Sequence, residues 1–386
     1  MRPDLLRNVA LVALSTSAGW IGWSGNVLLL PVAAAFPVFW SLTRTRLQAT
    51  AISAAYFLAA SRGLPQGVVN FYSSDIWPGL LLWLVASSAF VTVHSVLWMD
   101  GQGWQKPGRY LAACIAMAIP PFGILGWAHP ITAAGALFPG WGWWGLGAMA
   151  AGLIVMTTRY RPAAALAMAG FWLWSAAEWT PPSLPASWIG VDLEMGASLG
   201  REVDLNRQQE LIDVVRAQPP STTVVLPESA LGFWTPTVAR VWQRSLADKG
   251  ITVIAGAAVI DSQGYDNVLV KLSADGTDIL YLERMPVPGS MWQPWRGWAG
   301  DQGGARAHFF ANPAVDVGNL SVAPLICYEQ LLVWPILQSA FHRPDSIVAV
   351  GNGWWTAGTA IIDIQRATSE AWARLFDLPL VISFNI

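Results

Sequence analysis

Charged side chains are scarce in this chain, and lysine and cysteine are scarcer still. Only 12% of the 386 residues are charged, against roughly 25% in an ordinary soluble domain. The sequence has three lysines and two cysteines, Cys114 and Cys327. Neither cysteine has zinc-like spacing with the four histidines, so we expect no metal centre and no cofactor. Without a dense basic patch, we expect no nucleic-acid partner either.

The charges that are present divide the chain into two halves. Nine basic and four acidic residues precede Thr180, which leaves 13 of the 22 basic and 20 of the 24 acidic residues for the rest. The front half is therefore apolar and slightly basic, whereas the rear half is acidic. A proline-rich segment at residues 180–185 separates them. We predict a transmembrane domain over residues 1–179 and a second domain over residues 187–386.

Long uncharged runs in the front half predict several membrane spans. Residues 8–43 carry no charge and would form a helix about 54 Å long, against a hydrocarbon core of roughly 30 Å. We therefore expect the run to fold back near residues 23–26. Residues 110–158 split in the same way near His129. About seven α-helical spans are predicted, the remaining ones at residues 47–61, 76–98 and 162–177.

The basic residues of the front half predict how these spans are oriented. With seven spans and the N-terminus inside, only Arg62 falls on the outer side. The inner side collects eight basic residues: Arg2, Arg7, Arg44, Arg46, Lys106, Arg109, Arg159 and Arg161. This asymmetry follows the positive-inside rule. It predicts a multi-pass protein of the bacterial inner membrane with its second domain in the periplasm.

In the rear half, short apolar strands alternate with helices, which predicts an α/β layered domain. Two of the strands run into a reactive residue, Glu228 and Cys327. A thiol needs a nearby base to act as a nucleophile at neutral pH. A carboxylate at the end of a buried strand can serve as that base. Backbone N–H groups in the turn after Cys327 can hold an oxyanion.

The residues around these two positions resemble motifs of the nitrilase superfamily, also called carbon-nitrogen hydrolases. They read Leu-Pro-Glu-Ser-Ala-Leu at 226–231, Tyr-Leu-Glu-Arg-Met-Pro-Val-Pro-Gly at 281–289, Ile-Cys-Tyr-Glu at 326–329 and Asn-Gly-Trp-Trp at 352–355. Together with the multi-span front half, the chain is similar to apolipoprotein N-acyltransferases. It is more similar still to the TraB family of plasmid conjugal-transfer proteins. The resemblance implies a four-layer αββα domain.

The resemblance also implies a role for each motif residue. Glu228 would be the general base, Cys327 the nucleophile, Tyr328 an oxyanion N–H donor and Glu329 a support for the site. In the acyltransferases, the cysteine takes a fatty acyl chain from a membrane lipid as a thioester. It then passes the chain to an amine of a lipoprotein. A lipid donor and a lipoprotein or other amine acceptor are therefore the implied partners, while the oligomeric state is left open.

Two positions depart from the family pattern. The triad lysine is replaced by Glu283, and the glutamate after the Val-Pro pair is replaced by Met291. Arg284 would substitute for the lysine only if the strand is irregular, because consecutive strand residues face opposite ways. Two alternatives therefore stand beside acyl transfer. One is a catalytically weakened or inactive domain that acts by binding in conjugal transfer or the cell envelope, and the other is a different thiol reaction such as amide hydrolysis.

The predicted orientation can be tested with a reporter fused after Pro185. Alkaline phosphatase at this point should be active, because its disulfides form only outside the cytoplasm. A fusion after Arg109, in a predicted inner loop, is the matched control and should be inactive. Activity of a cytoplasmic reporter after Pro185 would rule out the seven-span arrangement.

Overall fold

The computed structural model describes residues 3–101, 103–125, 127–185, 187–197, 205–298 and 303–386. Arg2 of the predicted inner face, and residues 198–204 and 299–302 of the predicted second domain, lie outside the described residues. The chain forms two compact units that interleave along the sequence. The first contains Met1–Pro181, Leu331–Trp334 and Gly358–Asp377, and the second contains Pro182–Gln330, Pro335–Ala357 and Leu378–Ile386.

The part of the first unit before residue 182 is helical. Its α-helices are α1 (Pro3–Gly22), α2 (Phe36–Ser41), α3 (Arg46–Ala60), α4 (Leu64–Tyr72), α5 (Ile76–Leu97), α6 (Gln105–Ala118), α7 (Ala134–Leu137), α8 (Gly142–Met156) and α9 (Arg161–Glu178). Short 3-10 helices cover Val27–Ala35, Phe122–Ile124 and Pro130–Ala133. The turn predicted at residues 23–26 is confirmed, since Asn26 caps the first 3-10 helix by accepting a hydrogen bond from the Leu28 N–H.

Only part of the predicted set of spans appears as long apolar helices. Within the described residues, one helix, α5, is long and apolar enough to cross a membrane. The runs at residues 8–43 and 110–158 are instead broken into shorter α and 3-10 segments. The seven-span arrangement therefore remains a prediction.

The rear half of the sequence carries the strands. They are β1 (Trp188–Gly190), β2 (Thr223–Val225), β3 (Thr252–Asp261), β4 (Gly264–Leu272), β5 (Thr277–Leu282), β6 (Val315–Val317), β7 (Leu320–Ile326), β8 (Ser346–Asn352) and β9 (Leu380–Asn385). The helices are α10 (Leu205–Arg216), α11 (Pro236–Leu246), α12 (Trp295–Trp298), α13 (Val333–Phe341) and α14 (Ile361–Phe376). The prediction of an α/β domain is confirmed.

The strands form two sheets in the second unit. The first sheet has the order β1-β2-β3-β4-β5, with β1, β2 and β3 parallel and the β3-β4-β5 pairs antiparallel. The second has the order β6-β7-β8-β9, with β7, β8 and β9 parallel. Strand β2 is parallel to β1 and β3, and β7 is parallel to β8. The residues that follow β2 and β7 therefore lie at the carboxyl edges of their sheets, where reactive groups gather in α/β folds.

Side chains on the two faces of the first sheet contribute to two separate cores in the second unit. On β3, Val253 packs with residues of α10 and α11, whereas Ile254 faces the second sheet. Tyr281 of β5 and Val348 of β8 belong to the core between the sheets. Each aliphatic side chain fully buried in this way stabilises the fold by roughly 1.5–3 kcal/mol. The candidate site lies at the rim of the core between the sheets, which also contains Cys327.

Helix α14 is part of the first unit, although its sequence was placed in the predicted second domain. Gly135 of α7 lies so close to α14 that an added Cβ would be 1.6 Å from the Ala371 carbonyl oxygen. The Arg374 guanidinium donates a hydrogen bond to Ser175 Oγ at 3.0 Å, and the Gly140 N–H donates to the Arg374 carbonyl at 2.8 Å. Backbone packing and polar contacts therefore both fix α14 in this unit.

The close contact at Gly135 predicts a stability loss for Gly135→Ala. The added methyl would meet a backbone carbonyl, which cannot rotate away, so we expect a loss of about 1–3 kcal/mol and a lower thermal midpoint of the detergent-solubilised chain. Gly147→Ala in α8 is the matched control, because nothing lies within 4 Å of a Cβ there. Its midpoint should hold or rise slightly. Equal midpoints for the two variants would contradict the packing.

Candidate functional site

Cys327 occupies a strained backbone position directly after β7. It begins the 3-10 turn Cys327–Leu331, and its φ is 48°, in the left-handed region that residues with a side chain rarely adopt. The turn is closed by Glu329, whose Oε2 accepts a hydrogen bond from the Ile326 N–H at 2.8 Å. The side chain of Cys327 is buried, with 7% exposure. Such strain is held by the surrounding structure and is frequent at active sites.

Glu228 reaches the same place from the first sheet. It follows β2, and the next residue, Ser229, also has a positive φ of 60°. Gly256 of β3 permits this turn, because a Cβ there would lie 2.5 Å from the Glu228 Cα. The Glu228 carboxyl is hydrogen-bonded to the Cys327 thiol. The two residues predicted as base and nucleophile are thus brought together.

Glu283 faces the site from the end of β5. Its N–H donates to the Asn267 carbonyl at 2.8 Å, which extends the sheet by one residue and places Glu283 on the same face as Tyr281. The two hydrogens of the Asn267 amide are both used: one goes to Glu228 Oε1 at 2.8 Å and one to Glu283 Oε2 at 3.0 Å. Glu283 Oε1 is buried and has no hydrogen-bond partner among the described residues.

Arg284 does not stand in for the missing lysine. The residue is fully buried, but β5 has ended and the side chain turns toward α13 rather than toward Cys327. A guanidinium has five N–H donors, and all five are engaged. Their acceptors are the Tyr281 hydroxyl, the carbonyls of Pro324 and Pro335, Gln338 Oε1 and Ser339 Oγ. No donor remains for an oxyanion at Cys327.

Glu329 is surrounded by donors. Its two oxygens accept hydrogen bonds from the Tyr281 hydroxyl and from the N–H groups of Arg284, Met285 and Ile326. The Arg284 Nε lies 3.9 Å from Glu329 Oε1. Burial raises the pKa of Glu329, but every described contact is a donor and the guanidinium is close, so the anion is the form that fits this cage.

The remaining predicted residues lie at the margins of the site. Tyr328 is the second residue of the turn and half-buried, and its role as an oxyanion donor stays a prediction. Met291 lies in a turn joined by backbone hydrogen bonds to Val287 and Ala305, and it supplies no carboxylate. Lys271 forms an ion pair with Asp278 at 3.8 Å, so it is not the missing cation.

The site is crowded with acidic groups, and their pKa values move accordingly. Burial raises the pKa of Glu228 to about 7. Burial, followed by the charges of Glu228 and Glu329, raises the pKa of Glu283 well above its ordinary value. Burial, followed by the charges of Glu228 and Glu283, also raises the pKa of the Cys327 thiol. At neutral pH Cys327 is therefore a thiol, and its neighbouring base Glu228 is partly ionised.

Two asparagines, to which the sequence motifs gave no role, complete the site. Asn267 holds both carboxyls, and the backbone N–H of Asn352 lies within hydrogen-bonding reach of Glu228 and Cys327. The sequence carries little signal for Asn267, since it follows Asp266 at the polar start of the strand and precedes the apolar residues 268–270. Asn352 acts through its backbone, which side-chain chemistry does not reveal.

Comparison with known proteins identifies the family of this chain. The sequence profile of the carbon-nitrogen hydrolase family matches residues 58–374. The probable conjugal transfer protein TraB of Sinorhizobium fredii is 63% identical over the whole of both chains. The conjugal transfer protein TraB of Agrobacterium fabrum is 60% identical over 99% of this chain and 94% of its own.

The chain belongs to the carbon-nitrogen hydrolase family. The sequence-based resemblance to the nitrilase superfamily and to TraB proteins is thereby confirmed, and the profile match begins well before residue 187. Among solved structures, an amidase from Nesterenkonia sp. matches with 12% identity over 51% of this chain and 74% of its own, at a TM-score of 0.36. That likeness is too weak to add to the site.

The acidic surroundings predict slow alkylation of Cys327 by iodoacetamide. Because burial and the neighbouring carboxyls disfavour the thiolate, the pH midpoint of alkylation should lie above the value of a free thiol, about 8.5. Glu283→Lys should lower this midpoint, since an ammonium would favour the thiolate, and Glu283→Gln is the control for the loss of the carboxyl alone. Peptide mapping separates Cys327 from Cys114. A wild-type midpoint below 8.5 would contradict the described electrostatics.

Proposed function

We propose that this protein is a membrane-embedded acyltransferase in which Cys327 carries an acyl group as a thioester from a lipid to an amine. The observation that carries the proposal is the hydrogen bond between Glu228 and Cys327 at the carboxyl edges of two sheets. A general base is most effective when its pKa lies near the working pH, and the pKa of Glu228 is raised to about 7.

The first half-reaction would proceed as follows. The Cys327 sulfur attacks the ester carbonyl carbon of the lipid, Glu228 takes the thiol proton, and the carbonyl π electrons move to the oxygen. When the oxyanion collapses, the C–O bond breaks and the leaving alkoxide takes the proton from Glu228. The products are a lysolipid and an acyl-cysteine.

The second half-reaction reverses these roles. An amine attacks the thioester carbonyl, the C–S bond breaks, and the amine proton passes through Glu228 to the sulfur. An amide forms and the thiol is restored. Burial of Cys327 keeps water from the thioester, which favours transfer to an amine over hydrolysis.

A lipid donor is supported by the inverted polarity of the first unit. Helix α5 exposes Trp77 and Leu81, at 74% and 65%, while polar side chains such as Ser15 and His94 are buried. Helices in water show the opposite arrangement. With the eight-to-one charge asymmetry, this supports a multi-pass inner-membrane domain over residues 1–179 and a periplasmic nitrilase-like domain over residues 187–386.

The biological setting follows from the relatives. Both long relatives are named as conjugal transfer proteins, so we place the acyl transfer in the plasmid conjugation apparatus. A lipoprotein of that apparatus would present the amine.

One observation favours a second candidate, a catalytically silenced domain that acts by binding. Glu283 occupies the position where the family resemblance puts a lysine, and it adds a carboxyl beside the thiol. If the domain acts only by binding, the unmodified protein forms no acyl-cysteine. Glu283→Lys would then lower the alkylation midpoint and create acyl transfer.

The proposal is tested by mass spectrometry of the purified full-length chain after incubation with phospholipid vesicles. Cys327 should gain a fatty acyl group, and Glu228→Gln should slow this at least roughly 100-fold, in the range of a lost general base. Cys114→Ala is the matched control and should be acylated normally. Acylation that persists in Cys327→Ala, or none in the unmodified chain, would overturn the proposal.

A further inference from the structure

We propose that Glu283 acts as a neutral acid that donates a hydrogen bond to the oxyanion formed on the acyl carbonyl, in place of an ammonium group. The inference rests on the proposed acyl transfer at Cys327. It adds to that proposal a specific donor, located just after β5 in the sheet opposite the nucleophile.

The hydrogen bonds of Asn267 indicate which oxygen of each carboxyl is an acceptor. Its amide is a donor to both, so the oxygens facing it, Glu228 Oε1 and Glu283 Oε2, must be acceptors. A proton on Glu283 is best placed on Oε1, because Oε2, as a carbonyl oxygen, is then the better acceptor for Asn267. Oε1 is buried and has no partner among the described residues. A hydroxyl there is a donor without an acceptor until a substrate arrives.

The charges that face Glu283 keep this proton in place. They come from Glu228 after β2 and from Glu329 in the turn after β7, with the Cys327 thiol between the sheets. Arg284, the next residue in the chain, has all its guanidinium donors engaged by other acceptors and lies 3.9 Å from Glu329. Two buried carboxyls joined through one amide cannot both ionise cheaply, and one retains its proton. Glu228 has the lower pKa because the thiol also donates to it.

The two carboxyls therefore form an acid and base pair. Glu228 takes the thiol proton, while Glu283 keeps its own and offers a hydrogen bond where charge develops on the carbonyl oxygen. No proton leaves Glu283 during the cycle, so it is restored without a further reactant. A neutral carboxylic acid held in an apolar site is a strong donor, as oxyanion stabilisation requires.

The test compares two variants of the full-length chain in detergent, with p-nitrophenyl octanoate as the acyl probe. Glu283→Gln keeps the shape, accepts from Asn267 and offers an N–H to the oxyanion. Glu283→Leu keeps the size but offers no donor. Iodoacetamide is the reference probe, because displacement of iodide forms no oxyanion.

We expect Glu283→Leu to slow formation of octanoyl-Cys327 roughly 100-fold, the range for one lost oxyanion donor, without slowing alkylation by iodoacetamide. Glu283→Gln should stay within about 10-fold of the unmodified chain. The pH dependence of acylation provides a second test. Acylation of the unmodified chain should rise through about pH 7 as Glu228 ionises and fall at higher pH as Glu283 loses its proton. Glu283→Gln should lack that fall.

Each contrary outcome has a distinct meaning. If the unmodified chain acylates Cys327 and Glu283→Leu does so equally fast, the role of Glu283 is overturned while the acyl transfer stands. The same holds if Glu283→Gln loses as much as Glu283→Leu. If no chain forms octanoyl-Cys327, both the acyl transfer and the role of Glu283 are overturned.

Discussion

The Glu329 carboxylate ties together the ends of two strands that belong to different sheets. It accepts from the Ile326 N–H just before the nucleophile and from the Arg284 and Met285 N–H groups just after β5. The left-handed turn at Cys327 and the inward direction of Glu283 are therefore set by the same group. Glu329 also forms a buried ion pair with Arg284, with Oε1 3.9 Å from Nε. Removing one partner of a buried ion pair usually costs about 3–5 kcal/mol, so Glu329 leaves little freedom in the site.

That contact also decides the electrostatics of the site. Arg284 is the cation closest in sequence to the missing lysine, yet its guanidinium is hydrogen-bonded to the Tyr281 hydroxyl and to backbone carbonyls of β7 and α13, and its charge faces Glu329. The carboxyls of Glu228 and Glu283 are left with one amide between them. A proton must then take the place that a cation would otherwise fill, and the chemistry of the site follows from where that proton resides.

Much of the rear half could be predicted because its apolar runs end sharply. The strand ends at Glu228 and Cys327 were found in this way, and the predicted alternation of strands with helices includes α14. Its membership of the first unit was not predictable, since an amphipathic helix does not specify which core covers it. Strand alternation correctly turned Arg284 away from the side of Glu283, but it could not show that Tyr281, β7 and α13 would bury the guanidinium. Asn267 belongs to no motif, and its role comes from its hydrogen bonds to Glu228 and Glu283, which follow other strands of the same sheet.

The return of α14 to the helical unit has a consequence for how such a chain can change. The second unit is built from three separate stretches of the chain. The two segments between these stretches, Leu331–Trp334 and Gly358–Asp377, belong to the first unit. No single break in the gene separates one unit from the other. Neither unit can be exchanged as a cassette or expressed as an intact fragment by truncation alone. The helices and the thiol site are therefore inherited together, and any recombinant that alters the helices of the first unit must remain compatible with α14.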